Sequence, residues 1–91
     1  MAITVRYFAS LREVMGSSEV VPWPIAGLAE FTEGITAGAL REHLVARGGR
    51  SAEALASGRA LRCAINQSMA TDVDMVHDGA EVAFFPPVTG G

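Results

Sequence analysis

A β-rich segment lies near each end of the chain, and these two segments constrain the fold most strongly. Residues 3–8 alternate between core-type and outward-type side chains, and residues 81–85 form a second such run. Because successive side chains of a strand point to opposite faces, each segment has one buried face. The predicted inward-facing side chains are Ile3, Val5, Tyr7, Val82 and Phe84. Phe8 and Phe85 are then expected on the opposite, outer face.

The chain between these segments is predicted to supply the main helix. Thr36 is a suitable N-cap for a helix that ends near residue 47. Its apolar stripe contains Ala37, Leu40, Leu44 and Val45, and Arg41 is expected to lie outside that stripe. Ser51 is expected to cap a shorter second helix over residues 52–57.

Further strands complete the predicted sheet. They are expected at residues 19–23, 61–66 and 69–71, with turns at residues 66–68 and 78–79. A hairpin, a crossing helix and returning strands together predict an α+β domain of the β-grasp kind. Its sheet is mixed, and the main helix packs on one face.

The composition is that of a single small domain, and it limits the classes of partner that the domain is expected to bind. The chain has 91 residues, a net charge of −3 and seven basic residues, all of them Arg, with no basic stripe of the kind that binds nucleic acid. The longest apolar stretch, residues 20–29, is interrupted by Pro and Gly, so no membrane span is expected. A single cysteine, Cys63, excludes an internal disulfide and favours a reducing cytoplasm. A mildly acidic chain also favours a partner with a basic pocket.

Side chains that could carry chemistry are few. Cys63 is expected to point inward from a strand, where a neutral thiol is inert. His43 and His77 have no companions at metal-ligand spacing, and three aspartates within residues 72–78 are interpreted as a solvated loop. No metal site and no self-sufficient active site are therefore predicted.

The C-terminal residues offer a different chemistry. A Pro86-Pro87-Val88-Thr89 run is followed by Gly90 and Gly91. A carboxylate on two glycines has no neighbouring Cβ atoms, so it can enter a narrow slot and be activated as an acyl group. The prolines restrict the chain and lower the entropy lost on insertion into a partner. The alternative is an ordinary frayed terminus. We expect a β-grasp domain over residues 1–86 and a flexible tail over residues 87–91.

Large apolar side chains are predicted on the outer face of the sheet, near this tail. Phe8 and Phe85 lie on strand faces that they share with charged residues, and Met69 can join them from a short strand. An exposed apolar patch marks a protein-docking surface. The alternative is that one or more of these side chains packs under the loop of residues 24–34.

Several segments resemble one known family. Residues 78–91 closely resemble the ending of the small, sulfur-carrying subunits of molybdopterin synthase. Residues 6–13 resemble the opening of that family, residues 40–44 its helix and residues 64–67 its third strand. The tail motif is the specific part of this resemblance, and the other segments support it. The loop of residues 22–34 is longer than expected for compact members.

The resemblance implies a ubiquitin-like β-grasp fold and a non-catalytic role in a transferase heterotetramer. An adenylyltransferase related to ubiquitin-activating enzymes would use ATP to activate Gly91, next to Gly90, and a sulfurtransferase would then form a thiocarboxylate. The large synthase subunit would accept the tail and build molybdopterin from cyclic pyranopterin monophosphate. No cofactor would bind this chain itself. The implied partner-binding residues are Phe8, Met69, Phe85, Pro86, Pro87, Val88 and Thr89.

Three alternatives remain open beside this interpretation. A sulfur carrier for thiamine, cysteine or tRNA thiolation needs the same activated diglycine. A ubiquitin-like protein modifier would use the same terminus to join target lysines. A plain binding module with an unused tail is the third class of function.

Overall fold

The computed structural model describes residues 1–25, 27–28, 33–56 and 58–87, and these form seven strands and three helices. In chain order the elements are β1 (Ala2–Tyr7), α1 (Ser10–Met15), β2 (Ser18–Pro22), β3 (Ile35–Thr36), α2 (Ala37–Val45), α3 (Gly49–Ala54), β4 (Arg62–Ile65), β5 (Ser68–Ala70), β6 (Met75–Val76) and β7 (Glu81–Phe85). No helix within these ranges is long and apolar enough to cross a membrane.

Five of the strands form one mixed sheet in the order β2-β1-β7-β4-β5. The strands near the two ends of the chain, β1 and β7, pair in parallel at its centre, with Val5 opposite Val82. The other neighbours are antiparallel. The predicted α+β class and mixed sheet are confirmed. A separate pair, β3 and β6, was not predicted, because two-residue strands leave no periodic signal in the sequence.

The core lies between the inner face of the sheet and α2. All five side chains predicted to face inward from β1 and β7 are buried, and Leu40 and Leu44 of α2 are fully buried against them. The rings of Tyr7 and Phe84 stack with their centroids 6.4 Å apart. Thr36 caps α2 as predicted, because its Oγ1 accepts a 3.0 Å hydrogen bond from the Ala39 N–H.

Arg41 corrects one expectation about α2. Its side chain is only 9% exposed, although the sequence placed it outside the apolar stripe. Its Nε donates a 2.7 Å hydrogen bond to the carbonyl of Leu55, and its Nη2 donates to the carbonyls of Ala56 and Arg59. The guanidinium is buried because it satisfies three backbone carbonyls of the segment between α3 and β4, which hydrophobic periodicity cannot show.

The second short helix also differs from the prediction. It spans Gly49–Ala54, and its N-cap is Gly48 with a φ of 75°, so the chain reverses at a glycine three residues before Ser51. Ser51 lies inside the helix and is buried, where its hydroxyl accepts a 2.9 Å hydrogen bond from Arg47. The predicted Ser51 cap is therefore wrong. The main helix, α2, ends at Val45, two residues before the predicted end.

The segment after β2 is held at its start. Trp23 and Ile25 are buried and Leu28 packs against the core. The Trp23 N–H also donates a 2.8 Å hydrogen bond to the Met1 carbonyl.

Candidate functional site: the outer sheet face and the start of the tail

The outer face of the sheet carries the predicted apolar patch. Phe8 is 42% exposed, Met69 is 64% exposed, and Phe85 is half-buried. Strand alternation and the pairing register place them on the face opposite α2, since Met69 lies opposite Ala64 and Ala64 lies opposite Ala83. The predicted outward orientation is confirmed for Phe8 and Met69.

A shallow cavity of about 540 Å³ lies on this face. Its lining is formed by Arg6, Phe8, Ala9, Ala64, Gln67, Glu81, Ala83, Phe85 and Pro86. Ala64 and Ala83 end at Cβ, so they leave space between the larger side chains of Phe8 and Phe85. The sequence predicted the two aromatic residues as binding residues and did not include the alanines among them, although the period of two along β4 and β7 places both alanines on the outer face.

The charges of this face differ from those of the whole chain. An Nη1 of Arg6 lies 3.7 Å from Glu81 Oε2, and Arg6 Cζ lies 5.6 Å from the centroid of the Phe8 ring. Arg62, the first residue of β4, lies opposite Phe85 and is also exposed. The described outer positions thus hold two arginines against one glutamate, so this face is net positive although the chain carries −3.

The tail starts beside the cavity. The Phe8 N–H donates a 3.2 Å hydrogen bond to the Phe84 carbonyl, which extends the pairing of β1 with β7 by one residue toward the tail. Pro86 and Pro87 follow β7 and are half-buried, and Pro86 is part of the cavity wall. The predicted tail residues Val88, Thr89, Gly90 and Gly91 lie outside the described residues. The domain boundary at residue 86 stays a prediction.

Cys63 is buried in β4, as predicted. Burial raises the pKa of its thiol, and the charge of Asp72 acts in the same direction. The thiol therefore stays protonated near neutral pH, and a protonated thiol is a poor nucleophile.

The other polar candidates have structural contacts. His77 Nδ1 lies 2.6 Å from the Glu33 carbonyl oxygen, and Asp74 Oδ2 accepts a 2.8 Å hydrogen bond from the Thr71 N–H. Such contacts hold turns together and do not form a catalytic set. In the part of the chain that the structure describes, no three His, Cys, Asp or Glu side chains are grouped to hold a metal ion.

Comparison with known proteins places this chain in a family. The model described as the ThiS family matches residues 5–91. The chain belongs to the ThiS family. A curated relative, the molybdopterin synthase sulfur carrier subunit of Escherichia coli (strain K12), is 43% identical over 91 residues, covering 98% of this chain and 99% of that protein.

Solved structures share the fold of this chain. SAMP1 from Haloferax volcanii has a TM-score of 0.68 and 26% identity, with both chains covered completely. A protein–protein complex of subunits 1 and 2 of molybdopterin-converting factor from Helicobacter pylori 26695 gives a TM-score of 0.62 at 20% identity, again with both chains covered completely. At that identity the second likeness concerns the fold alone. The predicted ubiquitin-like β-grasp fold is confirmed.

Proposed function

We propose that this chain is a sulfur carrier subunit of molybdopterin synthase. The observation that carries the proposal is the 43% identity to a curated sulfur carrier subunit over nearly the full length of both chains. The fold adds physical support, because β7 leads through Pro86 to the diglycine from a sheet face that offers an apolar cavity.

The proposed cargo is a sulfur atom on the carbonyl carbon of Gly91. A carboxylate oxygen attacks the α-phosphate of ATP, pyrophosphate leaves, and an acyl-adenylate forms. Sulfide then attacks the carbonyl carbon and displaces AMP, which leaves a thiocarboxylate. If a sulfurtransferase persulfide is the donor instead, a thiol must reduce the resulting acyl disulfide. The partner adenylyltransferase supplies the ATP site in this scheme, and this chain supplies the acyl group.

The proposed acceptor is cyclic pyranopterin monophosphate bound to a large synthase subunit. The thiocarboxylate sulfur attacks a carbon of the substrate and displaces an oxygen substituent from it, and water later cleaves the acyl–sulfur bond and returns the Gly91 carboxylate. Two loaded carriers supply the two sulfurs of one dithiolene. The catalytic side chains of this step belong to the large subunit, because Cys63 is buried and protonated and the histidines of this chain have no catalytic partners among the described residues.

The proposed docking surface for the large subunit is the cavity between Phe8 and Phe85, with Met69 at its edge. Exposed aromatic residues around a pocket are typical binding anchors, and small residues between them admit a partner's side chain. The Escherichia coli relative is a subunit of molybdopterin synthase, which motivates this choice of partner. Pro86 joins the cavity to the tail, so docking here would aim residues 87–91 into the same partner.

Reconstitution tests the proposal. The carrier is incubated with ATP, an activating enzyme and a sulfur donor, and intact mass is followed for replacement of one terminal oxygen by sulfur. The loaded carrier is then mixed with large subunit and cyclic pyranopterin monophosphate, and molybdopterin is measured. We expect loading and conversion by the full chain, and neither reaction after deletion of residues 90–91. Loading without conversion would redirect the proposal to another sulfur pathway, such as thiamine, cysteine or tRNA thiolation.

A second candidate function is protein modification, which the likeness to SAMP1 favours, because small archaeal modifier protein 1 of H. volcanii is 25% identical to this chain. In that case the terminus would be joined to lysines of target proteins. Proteomics of the native host separates the two functions. A Gly-Gly remnant on many lysines supports a modifier, whereas a thiocarboxylate on the unattached protein supports the carrier.

A further inference from the structure

The guanidinium of Arg6 stands at the rim of the cavity on the outer sheet face, where a docking partner would cover it. Its side chain is 47% exposed, and its distance to Glu81 is 3.7 Å, longer than a hydrogen bond. Within the part of the chain that the structure describes, its N–H groups donate no hydrogen bond to protein acceptors. Water therefore solvates most of this cation in the unbound protein.

Docking would change this environment. A partner side chain that enters between Phe8 and Phe85 removes water from the adjacent guanidinium, and burying a cation whose N–H donors have no acceptor is costly. The stacking of Arg6 on the Phe8 ring offsets part of that cost. Glu81 offsets another part through a loose ion pair. The planar guanidinium still needs hydrogen-bond acceptors, and a carboxylate matches its geometry by accepting two parallel hydrogen bonds.

We propose that Arg6 is a specificity-determining residue of the docking face, which binds a carboxylate that the large subunit presents beside the apolar group filling the cavity. The excess of Arg over Glu on this face supports a partner segment that is locally acidic. An apolar partner that lacks this carboxylate would bind weakly, because it would remove water from the guanidinium and leave its N–H groups without hydrogen-bond acceptors. This inference rests on the proposed function, since it concerns the same large subunit.

The test measures the dissociation constant of the full-length carrier for the large subunit of its own host at several salt concentrations. Arg6→Met keeps an unbranched, largely apolar stem and removes the charge and the donors. We expect it to weaken binding roughly tenfold or more. Its affinity should also depend less on salt than that of the wild type. Arg6→Lys, which keeps the charge but lacks the planar guanidinium, should bind with an affinity between those of the wild type and Arg6→Met.

Arg12→Met is the matched control, because Arg12 is an exposed arginine of α1 that does not line the cavity. It should bind like the wild type, and thermal unfolding should show all three variants folded. Equal or tighter binding by Arg6→Met, or an equal loss with Arg12→Met, overturns the inference while the sulfur carrier function stands. Failure of the wild type to bind the large subunit at all contradicts the proposed function instead.

Discussion

The Tyr7 hydroxyl donates a 2.6 Å hydrogen bond to Glu19 Oε2, which joins the last residue of β1 to the second residue of β2. Arg47 binds both oxygens of the same carboxylate, at 2.6 and 3.0 Å, and also donates to Ser51. This cluster connects the sheet to the junction between α2 and α3. The burial of Tyr7 and the nearby Glu19 carboxylate raise the pKa of the phenol, so it remains a donor at neutral pH.

Tyr7→Phe should lower the free energy of unfolding by about 1 kcal/mol, since it removes one hydrogen bond to a partly exposed carboxylate and keeps the ring stacked on Phe84. Urea unfolding measures the change. In a Glu19→Gln background the same substitution should cost less, because the charged acceptor is gone. An identical cost in both backgrounds would show that the negative charge of the acceptor does not strengthen this hydrogen bond.

The acid sensitivity of the fold should depend on Glu19. Hydrogen bonds from Arg47 hold the pKa of the Glu19 carboxyl below its ordinary value of 4.5, although burial acts in the opposite direction. The carboxylate therefore stabilises the fold fully above that ordinary value, and this contribution is lost as pH falls through the lower folded-state pKa. The difference in unfolding free energy between wild type and Glu19→Gln should shrink on acidification below the ordinary value. A constant difference would contradict the prediction.

Arg41→Leu should destabilise the protein by about 3 kcal/mol, because the carbonyls of Leu55, Ala56 and Arg59 lose a buried donor together. Hydrogen exchange should show early opening of residues 55–60. Arg50→Leu is the control, since Arg50 is exposed in α3, and it should change stability by no more than about 0.5 kcal/mol. A similar effect of both substitutions would refute the role assigned to Arg41.

Phe85→Ala should weaken binding of the large subunit by about 2 kcal/mol, because it removes one aromatic wall of the cavity. Calorimetric titration measures the affinity. Val20→Ala is the matched control: Val20 is 65% exposed on β2, the edge strand, and does not line the cavity. Unchanged binding by Phe85→Ala would place the interface on another surface.

Val82→Asp should unfold the domain, because Val82 is fully buried and an unpaired carboxylate there has no partner. Ala83→Asp is the control one residue along the same strand, where the side chain points to the outer cavity. It should remain folded by circular dichroism and bind the large subunit poorly. A folded Val82→Asp protein would contradict the assignment of the two faces of β7.

The local pattern of side chains determined the orientation of the two central strands, the start of α2 and the proposed chemistry of the tail. The alternation in residues 3–8 and 81–85 set which side chains of β1 and β7 are buried and which lie outside, including Phe8, because the strand period is fixed by backbone geometry. Thr36 as N-cap followed from one side-chain acceptor placed near the first N–H groups of the helix, which have no acceptor within the helix. The diglycine after two prolines indicated the proposed chemistry.

Only the tertiary structure decided the remaining features, because each depends on groups that are distant in the chain. Arg41 is buried by carbonyls 14 to 18 residues away, and the Glu19–Arg47 pair spans 28 residues. The cavity exists because the pairing of β1, β7 and β4 places Arg6, Ala83 and Ala64 in one row across the sheet. Periodicity reports which face a residue occupies, whereas strand register decides which residues become neighbours on that face.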